Sequence, residues 1–66
     1  MAPTLISLNT ADVTALEALP GIGAALAARV VAFRDANGPF ASLDELLDVN
    51  GITQAKLDAL TPLVRL

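Results

Sequence analysis

The chain carries one apolar pattern twice, and that repeat constrains its fold more than any other feature. Gly21 falls on Gly51 at an offset of 30 residues. At that offset Val13 meets Leu43, Leu16 meets Leu46, Leu19 meets Val49, Ile22 meets Ile52, Ala27 meets Leu57 and Val30 meets Leu60. A unit of this length is one supersecondary element that cannot bury its apolar side alone. Many such units in series build a solenoid, whereas two copies without a third favour closure on each other as a pseudo-symmetric pair.

Punctuation within each half sets the element type. Asn9, Thr10 and Asp12 are all competent helix N-caps, because a short side-chain oxygen can accept from free first-turn amides. A helix is expected from near Asp12, with Val13, Leu16 and Leu19 on one side, until Pro20-Gly21 breaks the pattern. After Gly23 a longer helix aligns Leu26, Ala27, Val30 and Phe33, then stops at Gly38, with Pro39 preventing its resumption. Ser42-Leu43-Asp44-Glu45 has the form of a capping box, in which Ser42 and Glu45 each accept from the other's backbone amide. The third helix it starts should run to about Asp48, with Gly51 interrupting the pattern. A fourth, from about Thr53, carries Leu57, Leu60 and Val64 toward the core, with Pro62 kinking or ending it.

Met1 to Leu8 contains a short apolar run at Leu5, Ile6 and Leu8, too brief to separate strand from extended arm. The expectation is therefore all-α: a compact bundle of four or five short helices built from two pseudo-symmetric motifs. An N-terminal arm spans 1–8 and the paired domain spans 9–66.

Composition narrows the chemistry. Without Cys or His, the 66-residue chain lacks thiolate and imidazole metal ligands, disulfides and the usual bases for a nucleophilic Ser or Thr. Neither Ser7, Ser42 nor any threonine therefore reads as a nucleophile, and no enzymatic activity, catalytic residue or cofactor is expected. Asp44, Glu45 and Asp48 resemble a carboxylate cluster, but first-turn acids favour the helix dipole, and no metal site is expected. The chain is 55% hydrophobic with mean hydropathy +0.64, much of it Ala, so its core is modest. A parent chain or self-association would add stability. Seven acids against four bases give a net charge of −3, the wrong sign for gripping nucleic acid through a basic surface. No apolar run is long enough for a membrane span, and no secretory signal pattern is visible.

The informative segments are Leu19-Pro20-Gly21-Ile22-Gly23 and its echo Val49-Asn50-Gly51-Ile52-Thr53. Gly21 and Gly23 permit positive backbone angles, Ile22 and Ile52 plug each turn into the core, and the following helix presents unpaired amides at its positive end. Amides around Gly21, Gly23, Ala24 and Ala25 suit one phosphate, and those around Gly51, Thr53, Gln54 and Ala55 suit another. Main-chain donors carry no base code, so little sequence preference follows.

These segments resemble the paired helix-hairpin-helix motif. With Asn9-Thr10-Ala11 ahead, and Phe33-Arg34 and Asn37-Gly38-Pro39-Phe40 between, the chain from about Ile6 onward resembles the DNA-binding domain of ComEA-type competence proteins. The resemblance implies sequence-independent binding of double-stranded DNA in DNA uptake; with four cations and a net charge of −3, that binding should be weak and salt-sensitive. It also implies an extracytoplasmic location, with tethering through a segment absent here. Hairpin carbonyls of this family can also coordinate a monovalent cation.

Two positions depart from the pattern. Ala25 stands where relatives often carry Lys, and Thr53 stands where a second Gly is usual, although Thr can act as N-cap instead. Lys56 matches a basic position of the family and is the side chain expected to face phosphate. Arg29 and Arg34 can also reach a DNA backbone, but Arg34 can equally satisfy carbonyls. The acidity and the two departures leave open a protein-interaction domain of the same fold with weak or no DNA binding. A DNA-targeting domain of a repair protein also remains open.

Overall fold

The computed structural model describes residues 5–66. Residues 1–4 of the expected arm lie outside them. The chain runs β1 (Ile6–Ser7), α1 (Val13–Glu17), α2 (Ala24–Asn37), a 3-10 helix (Leu43–Asp48), α3 (Gln54–Leu60), a second 3-10 turn (Thr61–Leu63) and β2 (Val64–Arg65). Among the described residues it is a small helical bundle, with one pair of two-residue strands joining Ile6–Ser7 to Val64–Arg65.

The repeat seen in the sequence is present in three dimensions. From 12 to 30 and from 42 to 60, each residue has the same degree of burial as its partner 30 positions on. Backbone bonds repeat too. Leu19 N–H donates to Leu16 O at 3.1 Å and Val49 N–H to Leu46 O at 3.0 Å. Ile22 N–H reaches Leu19 O at 3.2 Å and Ile52 N–H reaches Val49 O at 3.1 Å. Ala27 and Leu57 bond to Gly23 O and Thr53 O, both at 2.9 Å. The paired apolar positions Leu16/Leu46, Leu19/Val49, Ile22/Ile52, Ala27/Leu57 and Val30/Leu60 are all buried in one core with Leu8, Phe40 and Val64. Burying a side chain the size of Leu or Val contributes about 1.5–3 kcal/mol, so this shared core holds the two halves together. Ala27 is wholly buried where its partner is Leu57, and the small side chain lets α2 approach its neighbours closely.

Local signals set the boundaries of α1 and α2. The Asp12 carboxylate accepts from Ala15 N–H at 2.8 Å and starts α1. Gly38, at φ +85°, ends α2, and its N–H bonds to Arg34 O. The third helix differs from expectation because it is wound as 3-10 throughout. Its capping box is displaced by one residue: Ser42 makes no side-chain cap, and Glu45 Oε2 accepts from Ala41 N–H at 2.9 Å. With about three residues per turn, 3-10 winding eclipses positions i and i+3, so the Glu45 side chain lies over the entry to the helix, where it meets the Ala41 amide.

Pro62 ends α3 through the short 3-10 turn, so Val64 reaches the core from β2 rather than from a helix. The arm is resolved as strand at Ile6–Ser7, paired in parallel with Val64–Arg65. Ser7 is buried, and its hydroxyl donates to Leu66 O at 2.7 Å. Arg34 Nη1 donates to Leu8 O at 2.8 Å and Ala11 O at 2.7 Å, satisfying the carbonyls of the segment leading into α1. Asn9 caps no helix. Its amide donates to Phe40 O at 3.1 Å and accepts from Phe40 N–H at 2.6 Å, fastening the arm to the loop after α2. Phe40 in turn stacks on Phe33, with ring centroids 5.5 Å apart.

Candidate nucleic-acid interface

Each hairpin is a tight turn between two helices, fixed by one glycine and one isoleucine. Gly21 and Gly51 have φ of +77° and +97°, a left-handed conformation that disfavours any residue with a Cβ. Ile22 and Ile52 next to them are buried, so each turn is pinned from beneath while its tip stays outside. Gly21, Gly23, Ala24 and Ala25 are exposed, as are Gly51, Thr53, Gln54 and Ala55.

Gly23 corrects one sequence expectation. Its φ is −89° with extended ψ, and Thr53 has the same conformation at φ −104°, so neither needs glycine's freedom. Both are N-caps. Thr53 therefore fits without strain, and its Oγ1 accepts from Lys56 N–H at 3.3 Å. Gly23 has no side chain with which to cap, so α2 lacks the side-chain bond that α3 possesses. The amides of Ala24, Ala25, Gln54 and Ala55 belong to exposed first-turn residues, where the helix dipole favours an anion, whereas that of Lys56 is taken by Thr53 Oγ1.

The two tips lie beside each other. Lys56, the third residue of α3, sends its ammonium across to Gly21 O at 3.1 Å. Leu26, the third residue of α2 and the repeat partner of Lys56, packs against the other tip: a Cβ built on Gly51 would lie 2.8 Å from Leu26 Cδ1. Arg29 Nη1 adds a 3.4 Å bond to Asn50 O. Each hairpin is thus touched by the helix that follows the other.

Of the residues singled out in the sequence, Gly21 to Ala25 and Gly51 to Ala55 are brought together as two neighbouring turns, with Ile22 and Ile52 as their buried plugs. Lys56, expected to face phosphate, is half-buried and occupied by the Gly21 carbonyl. Gln54 Nε2 bonds Asp58 Oδ1 at 2.9 Å, along its own helix. Arg34 is tied to the arm.

Sequence reasoning missed Leu26 and the Asn50 carbonyl as parts of this surface, and named Arg29 for a DNA backbone without its bond to the second tip. The repeat held the signal for Leu26, since it stands at the position of Lys56. A shallow open pocket of about 230 Å³ lies beside the second tip, lined by Arg29, Ala32, Phe33, Asp48, Val49 and Asn50. No described helix is long and apolar enough to cross a membrane.

Comparison with known proteins agrees with this geometry. The helix-hairpin-helix motif family matches residues 2–65. ComE operon protein 1 of Bacillus subtilis is 30% identical over 54 residues, covering 82% of this chain and 26% of that protein. An uncharacterized protein of Haemophilus influenzae is 36% identical over 63 residues, covering 88% of this chain and 56% of its own length. Endonuclease/exonuclease/phosphatase family domain-containing protein 1 of Danio rerio is 34% identical over 55 residues, covering 83% of this chain and 10% of that protein. The chain therefore spans between a tenth and somewhat over half of these relatives. A repeated turn with a positive-φ glycine and a buried isoleucine, matched along nearly the whole sequence, makes this chain a member of the helix-hairpin-helix family.

Proposed function

We propose that this chain binds double-stranded DNA without regard to base sequence, through backbone amides of its two hairpins contacting phosphates. The observation that carries this reading is the side-by-side placement of the tips, each exposed and each touched by the helix after the other. Two neighbouring amide cups suit the regularly spaced phosphates of a duplex. The likeness to ComE operon protein 1 supports a role in DNA uptake and a place outside the cytoplasm, with this domain tethered through further chain.

The charge of −3 makes the complex weak, at or beyond the usual non-specific range of about 10⁻⁴–10⁻⁶ M at physiological salt. With four cations in the chain, log K against log salt falls with a slope no steeper than about −3.6. Fluorescence anisotropy on two short duplexes of unrelated sequence tests this. Equal affinities with a shallow slope support the reading; absence of binding at low salt, or a strong preference for one sequence, contradicts it.

The acidity, together with exposed Leu5, Leu47, Leu63 and Leu66, favours as second reading a protein-interaction domain with idle hairpins. Sedimentation equilibrium separates the two. Self-association without DNA binding selects the second.

A further inference from the structure

We propose that Lys56 is a positioning residue whose ammonium, held on the Gly21 carbonyl, fixes the spacing between the two hairpins. The inference rests on the DNA-binding reading above. Its starting point is the repeat: positions 26 and 56 are equivalent, and each touches the opposite tip, one through a methyl group and the other through a charged hydrogen bond. Replacing Leu with Lys at this position adds directionality to a contact that would otherwise be packing alone. The bond joins residues 35 apart in sequence and crosses from the second motif to the first. Arg29 makes the converse crossing, from α2 to the Asn50 carbonyl, at a longer 3.4 Å.

The Gly21 carbonyl sits on an exposed turn, where water would satisfy it equally well, so the bond's main effect is constraint rather than stability. Constraint matters to a two-cup site. When both cups are held at one spacing, binding at the first presents the second at high effective concentration; when the spacing varies, that advantage falls. The ammonium keeps its charge but is directed at a carbonyl rather than at a phosphate, so its loss is expected to weaken affinity more than it flattens the salt dependence.

The test compares wild type, Lys56→Met and Lys56→Arg by amide chemical-shift titration with a short duplex across a range of salt. Lys56→Met is expected to keep the wild-type amide pattern away from the hairpins and to bind about tenfold more weakly. Its salt slope should change by less than about 0.3, and the amides of Gly21–Ala25 and Gly51–Ala55 should titrate with separate midpoints. Lys56→Arg, which keeps the donor, restores a single midpoint. Arg29→Met, at an exposed position, gives a smaller loss with the same signature, and serves as the variant if Lys56→Met loosens the fold.

Unchanged affinity and midpoints in both Met variants overturn the proposal. A slope shallower by about 0.9 in Lys56→Met would instead make Lys56 a direct phosphate contact and overturn it as well. Wild-type protein that binds no duplex at low salt ends the DNA reading itself, and this inference with it.

Discussion

Two glycines that occupy the same place in the repeat have different surroundings, and the difference predicts different tolerances. At Gly21 a Cβ would meet nothing nearer than Lys56 Nζ at 3.5 Å, so Gly21→Ala carries only the strain of its positive φ, about 1 kcal/mol. At Gly51 the Cβ would also lie 2.8 Å from Leu26 Cδ1 and 3.2 Å from Arg29 Nη1, which raises the cost to about 2–3 kcal/mol. Urea denaturation of the two variants should show that order; equal losses would mean that the Leu26 contact yields freely. Thr53 is a third case. As an N-cap in an extended conformation it fits where the family pattern places glycine, and Thr53→Ala should cost about 1 kcal/mol but Thr53→Gly only about 0.3 kcal/mol. The same melts check it, and a stabilised Thr53→Gly would show that the hydroxyl is strained. Glycine at 21 and 51 was legible because a turn after Pro20 or Asn50 has few ways to close. The negative φ at Gly23 was not, since its identity alone permits both signs.

Among the elements, α1 and α2 followed from signals acting within a few residues: Asp12 as cap, Gly38 as stop, and apolar spacing between them. Two kinds of element escaped that logic. The strands Ile6–Ser7 and Val64–Arg65 are too short to show a period, and their pairing joins opposite ends of the chain. The Leu43–Asp48 segment read as a helix of ordinary pitch because the capping pattern is shared by both windings. Contacts such as Asn9 with Phe40, 31 residues apart, leave no local trace. Arg34 ties these pieces together, since it bonds both Leu8 O and Ala11 O from the last turn of α2. Arg34→Met should cost about 1–3 kcal/mol. It should also raise hydrogen exchange at Leu8 and Ala11, whose amides bond Arg65 O and Ser7 O. Unchanged protection there would mean that the strand pair holds the arm without help. Position 27 tests close packing between elements: Ala27→Leu, which would match its repeat partner, should destabilise by about 1–3 kcal/mol in the same melts. A neutral result would reveal slack beside α2.

At the scale of the whole molecule, two hairpins with matching burial and matching bonds share one core, and each is touched by the helix that follows the other. The sequence made the doubling visible through apolar positions alone, because burial at each position follows the repeat. It left hidden how the halves engage, since Lys56 to Gly21 and Arg29 to Asn50 are contacts between motifs and appear only once both are packed. Under the proposed reading a net acidic domain can still hold an anionic polymer, because main-chain amides would be the donors and their dipoles are independent of side-chain charge. The most direct test is an amide-resolved titration of the wild-type chain with a short duplex at low and then high salt. Shifts concentrated at Gly21–Ala25 and Gly51–Lys56, sharing one midpoint and fading as salt rises, are the predicted result. Shifts confined to one hairpin, or centred on the exposed leucines instead, would contradict it.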